Sequence, residues 1–147
     1  MVIRNTPGIR NIKQKMSKIV TLSEAALIGL HSMVLIARSG ATVNVDKIAE
    51  NTGSSRHHVA KILQRMVKEG FLESHRGPSG GFFLTRDPRQ ITLLDIYEAI
   101  EGKIRITGCQ SGNQVCPFSK CILGNVVTEM TLLFRDHLGS TTLDRML

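Results

Sequence analysis

Between Ser54 and Lys68 the chain runs SSRHHVAKILQRMVK, fifteen residues without a single acid. Val59, Ile62, Leu63, Met66 and Val67 recur at the i, i+3, i+4, i+7 and i+8 positions of a helix, so they must face a core. Arg56, His57, Lys61, Gln64, Arg65 and Lys68 are left on the outside. With Ser54 or Ser55 as N-cap and Gly70 as the stop, the spacing predicts a helix over Arg56–Glu69. Two strand-like runs follow, Phe71–His75 and Phe82–Thr85. They flank Arg76-Gly77-Pro78-Ser79-Gly80-Gly81, which is too glycine-rich to be anything but a turn. A shorter helix over Lys47–Asn51, capped by Asp46 and ended by Gly53, precedes this unit. Helix, turn, helix and hairpin in that order predict a winged helix-turn-helix: a mainly α fold with a small β-hairpin wing.

The flanking segments extend this reading. Leu22, Ala25, Ala26, Leu30, Met33, Val34 and Ala37 predict a first helix from Thr21 or Ser23 to Ser39. Its most apolar stretch, Leu22–Ala37, contains Glu24 and His31 and is short for a membrane span, which favours a buried helix. Beyond Asp87-Pro88, Thr92 caps a helix over Leu93–Glu101, with Leu93, Ile96, Tyr97 and Ile100 on one face. A long final helix over Cys121–Leu138 carries Ile122, Val126, Met130, Leu133 and Phe134 along one stripe. The expected organisation is a flexible basic extension over 1–15, the winged domain over 16–102, a cysteine-containing loop over 103–120, and a dimerisation helix with its tail over 121–147. With aromatic residues at only 4% and no Trp, the core has to be aliphatic.

Nineteen Lys and Arg against twelve Asp and Glu give a formal charge of +7, which favours a polyanionic partner. Four of these cations (Arg4, Arg10, Lys13 and Lys15) stand in the acid-free first fifteen residues, where no apolar run marks a secretory signal. Double-stranded DNA is the expected partner and the cytoplasm the expected compartment. In a helix-turn-helix unit the second helix enters the major groove with its N-terminal residues nearest the base edges. Those residues are Ser54, Ser55, Arg56, His57 and His58. Arg56 has the two parallel donors that guanine O6 and N7 accept, while Lys61 and Arg65 stand one and two turns further on, suited to phosphates. Arg76 and Ser79 in the hairpin turn are expected at the adjacent minor groove or backbone. One domain of this size covers few base pairs, so a homodimer on a palindromic operator is expected, with the final apolar-striped helix as its surface.

Cys109, Cys116 and Cys121 are the only cysteines, gathered in thirteen residues. An odd number in a reducing compartment points to metal or redox chemistry rather than structural disulfides. Three thiolates suit an iron–sulfur cluster, [2Fe–2S] or [4Fe–4S]. Structural zinc ordinarily takes four closed ligands. Bare thiol sensing is a second possibility, with Lys120 and a helix N-terminus at Cys121 activating that thiol. An enzyme with a cysteine nucleophile fits poorly, because the one histidine beyond the loop, His137, lies sixteen residues past Cys121.

At this point the chain resembles the IscR/NsrR/CymR-type bacterial winged-helix regulators. The resemblance is carried by Ile48-Ala49-Glu50 before Gly53, by Val59-Ala60-Lys61-Ile62-Leu63 and above all by Arg76-Gly77-Pro78-Ser79-Gly80-Gly81-Phe82. Ile91-Thr92-Leu93-Leu94-Asp95-Ile96, Ala99-Ile100-Glu101-Gly102 and Thr142-Leu143-Asp144 continue it, so it covers about Lys18 to the end. It implies a homodimeric transcription factor, a repressor, sensing redox, nitric oxide or iron status through a cluster on Cys109, Cys116 and Cys121. The alternative within the same fold is a clusterless regulator responding through thiols, a metabolite or a partner. The cysteine gaps of six and four residues depart from the even gaps of five common in cluster-holding members. Gly124 stands where the IscR pattern has a histidine, and Ala60 where some relatives have an acid. Other members take an acidic ligand from the first helix of the second subunit, and the matching residue here is Glu24.

Overall fold

A computed structural model describes residues 20–106 and 116–147. The basic extension over 1–15 and Cys109 therefore lie outside the described residues. Helix α1 (Glu24–Ser39) starts where the Ser23 hydroxyl accepts the Ala26 backbone N–H. Helix α2 (Val45–Thr52) is longer than its spacing predicted and is capped by Asn44, whose Oδ1 accepts the Lys47 N–H at 2.8 Å. Asp46, expected as that cap, instead lies inside the first turn, because the extended backbone of Asn44 already presents a capping carbonyl oxygen one residue before Val45. Helix α3 (Arg56–Lys68) is capped by Ser55 and buries Val59, Ile62, Leu63 and Met66, four of the five residues read as its core stripe.

Strands β1 (Leu72–His75) and β2 (Gly81–Leu84) pair antiparallel, with Leu72 opposite Leu84 and His75 opposite Gly81. Phe71 is left out of β1 because its N–H closes the end of α3 on the Met66 carbonyl. Phe82, at 4% exposed, plugs the hairpin into the core. Val43, on the linker between α1 and α2, exchanges two backbone hydrogen bonds with Phe82, at 2.9 and 2.8 Å. These bonds dock the wing onto the helices. A short 3₁₀ turn at Pro88–Gln90 leads into α4 (Leu93–Glu101), which opens with a reciprocal Thr92–Asp95 capping box.

Helix α5 (Val126–Ser140) begins five residues later than its apolar stripe predicted. Gly124 adopts a left-handed conformation (φ 55°) and donates its N–H to the Cys121 carbonyl at 3.2 Å. This closes a turn over Cys121–Gly124, and a regular helix can only start beyond it. The C-terminal half of α5 packs on α4, where Tyr97 and Phe134 meet edge to face at 5.2 Å and Leu138 is buried. The tail then returns: Leu143 donates to the Ile91 carbonyl at 2.8 Å and buries its side chain fully. The core joining α1, α3, α4, the wing and the tail is mainly aliphatic, with Met33, Ile48, Leu63, Ile96 and Leu143 among its fully buried members and Phe71 and Phe82 as its aromatic ones.

Candidate nucleic-acid interface and cysteine site

The outer face of α3 is a straight row of His57, Lys61, Gln64 and Lys68, all exposed. Their i, i+4, i+7, i+11 spacing places them opposite the buried stripe. The spacing rule that locates the core also identifies Gln64 and Lys68, on the outer surface, as the centre of the free face. The residues expected at the base edges divide. Ser55 is exposed, and its hydroxyl accepts the His58 N–H at 3.2 Å as the N-cap. Ser54 is half-buried, and its N–H is taken by the Ala49 carbonyl at the end of α2. Arg56 projects from the edge of the row toward α2, where its Nε lies 2.8 Å from Asp46 Oδ1. His58 turns the other way, half-buried, with Nδ1 3.7 Å from Glu24 Oε1 on α1. Arg76 and Ser79 stand exposed at the wing tip, in a turn closed by Gly80 N–H to Gly77 carbonyl at 2.9 Å.

Arg65 is engaged inside the chain. Its Nη1 donates to the Ile100 carbonyl at 2.7 Å. That carbonyl belongs to the last turn of α4, whose end groups lack partners within their own helix. A guanidinium there also meets the negative end of the helix dipole. Directly beyond, Glu98 accepts from Lys103 Nζ at 2.5 Å and from the Ile104 backbone N–H at 3.1 Å. The hydrogen bond from Lys103 holds the Glu98 carboxyl below the usual glutamate range against the opposing effect of burial, with the Ile104 N–H adding to the same direction. The exit from α4 toward the cysteine loop is therefore fastened to α3 on one side and folded back on itself on the other.

Cys116 and Cys121 are both exposed free thiols. Cys121 opens the turn before α5, not the helix itself, so the dipole argument for activating its thiol loses its basis. Among the described residues no three of His, Cys, Asp and Glu gather closely enough to hold a metal ion. The donor chemistry nevertheless fits an iron–sulfur cluster: two unpaired thiols on one short exposed segment, with the third cysteine seven residues before Cys116. Glu24, at the first position of α1, is exposed at the side chain (70%) and so is open to a ligand from outside its own chain. Beside this segment Val126, Met130 and Leu133 leave an apolar stripe open on α5, with Leu133 73% exposed. The stripe borders a groove of about 930 Å³ whose other walls include Val20, Leu22 and Tyr97. Among the described residues no helix is long and apolar enough to cross a membrane.

A family model for Rrf2, described as an iron-dependent transcriptional regulator, matches residues 22–147. The chain belongs to the Rrf2 family. It is a winged-helix transcription regulator that binds DNA, and not an enzyme. The HTH-type transcriptional regulator NsrR of Bacillus subtilis is 32% identical over 108 residues, 72% of this chain and 74% of that protein. The HTH-type transcriptional regulator IscR of Xenorhabdus nematophila is 26% identical over 99 residues, 67% of this chain and 60% of that protein. Two solved structures share the fold. CymR, the global cysteine regulator of B. subtilis, has a TM-score of 0.69 at 24% identity, covering 86% of this chain and 95% of that one. T. potens IscR has a TM-score of 0.66 at 24% identity, covering 86% and 85%.

Proposed function

We propose that this Rrf2 regulator is a homodimeric repressor whose grip on a palindromic operator is set by an iron–sulfur cluster on Cys109, Cys116 and Cys121. Glu24 of a second copy is the proposed fourth ligand. The observation that carries the reading is the location of Cys116 and Cys121: free, exposed thiols on the segment that runs into α5, next to the unpartnered apolar stripe. Relatives named NsrR and IscR support the family context. When bound, such a cluster supplies iron and sulfide that nitric oxide, oxygen or iron shortage can dismantle. The rest is done by the chain. Met130 and Leu133 pair the copies, and the row from His57 to Lys68 enters the major groove. Arg76 and Ser79 follow the backbone or minor groove, and Lys61 neutralises phosphate.

Coupling runs through α4. A rearranged cysteine loop pulls on the chain at Glu98–Ile104, and Arg65 carries that displacement to α3 through the Ile100 carbonyl. A small change in the angle of each recognition helix alters the distance between two half-sites, which redistributes bound and unbound populations. Anaerobic purification followed by an absorption spectrum and iron and sulfide analysis tests the cluster. Visible charge-transfer bands with matching iron and sulfide are expected, and a colourless, iron-free chain after reconstitution would overturn it. The DNA face has a separate test: the Arg56→Ala, Lys61→Ala double variant is expected to lose operator binding while keeping its fold, and unchanged binding would overturn the assigned face.

A further inference from the structure

An acid beside a DNA-reading surface works against binding, because it repels the phosphates that supply most of the affinity. From Ser54 to Lys68 the chain carries none, yet Asp46 projects from the first turn of α2 against the first residue of α3. Helix-dipole stabilisation explains an acid anywhere in that turn, but not its choice of neighbour. Asp46 Oδ1 stands 2.8 Å from Arg56 Nε, with both side chains about 70% exposed (68% and 72%). In water such a pair adds little to stability. Its consequence is geometric. The arginine stem is drawn to the Asp46 side at its Nε end. Among the described residues no hydrogen bond engages Nη1 or Nη2, the two parallel donors suited to a guanine edge.

We propose that Asp46 is a positioning residue for operator recognition. It holds Arg56 with its terminal donors toward the groove, and it offsets the charge that would otherwise let this arginine settle on the nearest phosphate of any sequence. Discrimination is thereby raised while non-specific attraction is lowered. The inference rests on the assignment of α3 as the helix that reads bases.

The test uses the full chain and two duplexes of equal length: one selected by the wild-type protein from a random pool, the other an unselected sequence. Affinities are measured over a range of salt for the wild type, Asp46→Ala, Asp46→Glu, Arg56→Ala and the Asp46→Ala, Arg56→Ala double variant. For Asp46→Ala, tighter binding to the unselected duplex is expected, with a salt slope steeper by about one. Its preference for the selected duplex should fall by about tenfold, within the range of a lost bidentate base contact. Asp46→Glu should recover most of the preference, and once Arg56 is absent Asp46→Ala should remove no further preference, only relieving repulsion equally on both duplexes. An equal shift on both duplexes, or the same loss of preference with and without Arg56, would overturn the inference and leave the recognition helix standing. A wild-type chain that selects no sequence would overturn both together.

Discussion

Replacing Gly81 with alanine tests whether the wing is held as its geometry implies. A Cβ at this position would lie 2.3 Å from the Val43 carbonyl oxygen, 2.6 Å from its carbon and 2.8 Å from the Asn44 nitrogen. All three are backbone atoms in the linker between α1 and α2, so no side chain can swing aside to make room. The strand has to withdraw, and the first contacts to go are the two backbone hydrogen bonds between Val43 and Phe82. At about 1 kcal/mol net each they account for about 2 kcal/mol. Phe82 and Val43 are each 4% exposed, and partial loss of their burial adds about 1 kcal/mol more. The total of about 3 kcal/mol corresponds to a melting temperature lowered by roughly 6–12 °C. Gly77→Ala is the matched comparison, since Gly77 has φ 116° but nothing within 4 Å of the added atom, leaving backbone strain of about 1 kcal/mol. Urea unfolding monitored by circular dichroism should rank Gly81→Ala well below Gly77→Ala. Operator affinity should fall with it, because Arg76 and Ser79 ride on the displaced wing. A Gly81→Ala chain within about 0.5 kcal/mol of wild type would refute this account of how the wing is docked.

Arg65→Met keeps an apolar stem but removes the bond to Ile100. About 1–2 kcal/mol of stability should be lost, and the difference in operator affinity between cluster-loaded and cluster-free protein should shrink toward none. A wild-type difference retained in this variant would remove α4 from the coupling route. Glu98→Gln tests the loop exit by pH. Because the Glu98 carboxyl is held below its ordinary range, its contribution is complete above the unfolded value of about 4.3 and is lost as pH falls through the folded one. The acid limb of a stability–pH profile should therefore be shallower in the variant, and an unchanged limb would contradict the assignment. Leu133→Glu puts a charge on the most exposed residue of the α5 stripe, so sedimentation should show the proposed dimer weakened at least tenfold with the monomer fold intact.

Where the sequence spoke through periodicity and punctuation, the fold followed it closely. The core stripe of α3, the Thr92 cap of α4 and the glycine-rich wing turn all reflect local rules acting on neighbouring residues. Misreadings arose where two local signals competed. Asn44 and Asp46 are both good caps, and only the tertiary placement of Val43 against the wing decides between them. Gly124 is a single residue inside an apolar stripe, and its left-handed backbone removed five residues from the start of α5. In the candidate site, the free row on α3 was legible because exposure there is the complement of the core pattern. The engagements of Arg56 with Asp46 and of Arg65 with Ile100 were not legible. Those partners are brought together by the turn between two helices and by the packing of α3 on α4, and no spacing within one segment encodes either contact.

The central claim, that chemistry at the cysteine loop sets the grip on DNA, is tested most directly by one paired titration. Cluster-loaded wild type, cluster-free wild type and the Cys109→Ser, Cys116→Ser, Cys121→Ser variant are each titrated onto the same selected operator duplex at one fixed salt concentration under anaerobic conditions. The account predicts that the loaded and cluster-free proteins differ at least about tenfold in Kd, a coupling of about 1.4 kcal/mol, with the triple variant matching the cluster-free chain. Three coincident binding curves from proteins of verified iron content would contradict it.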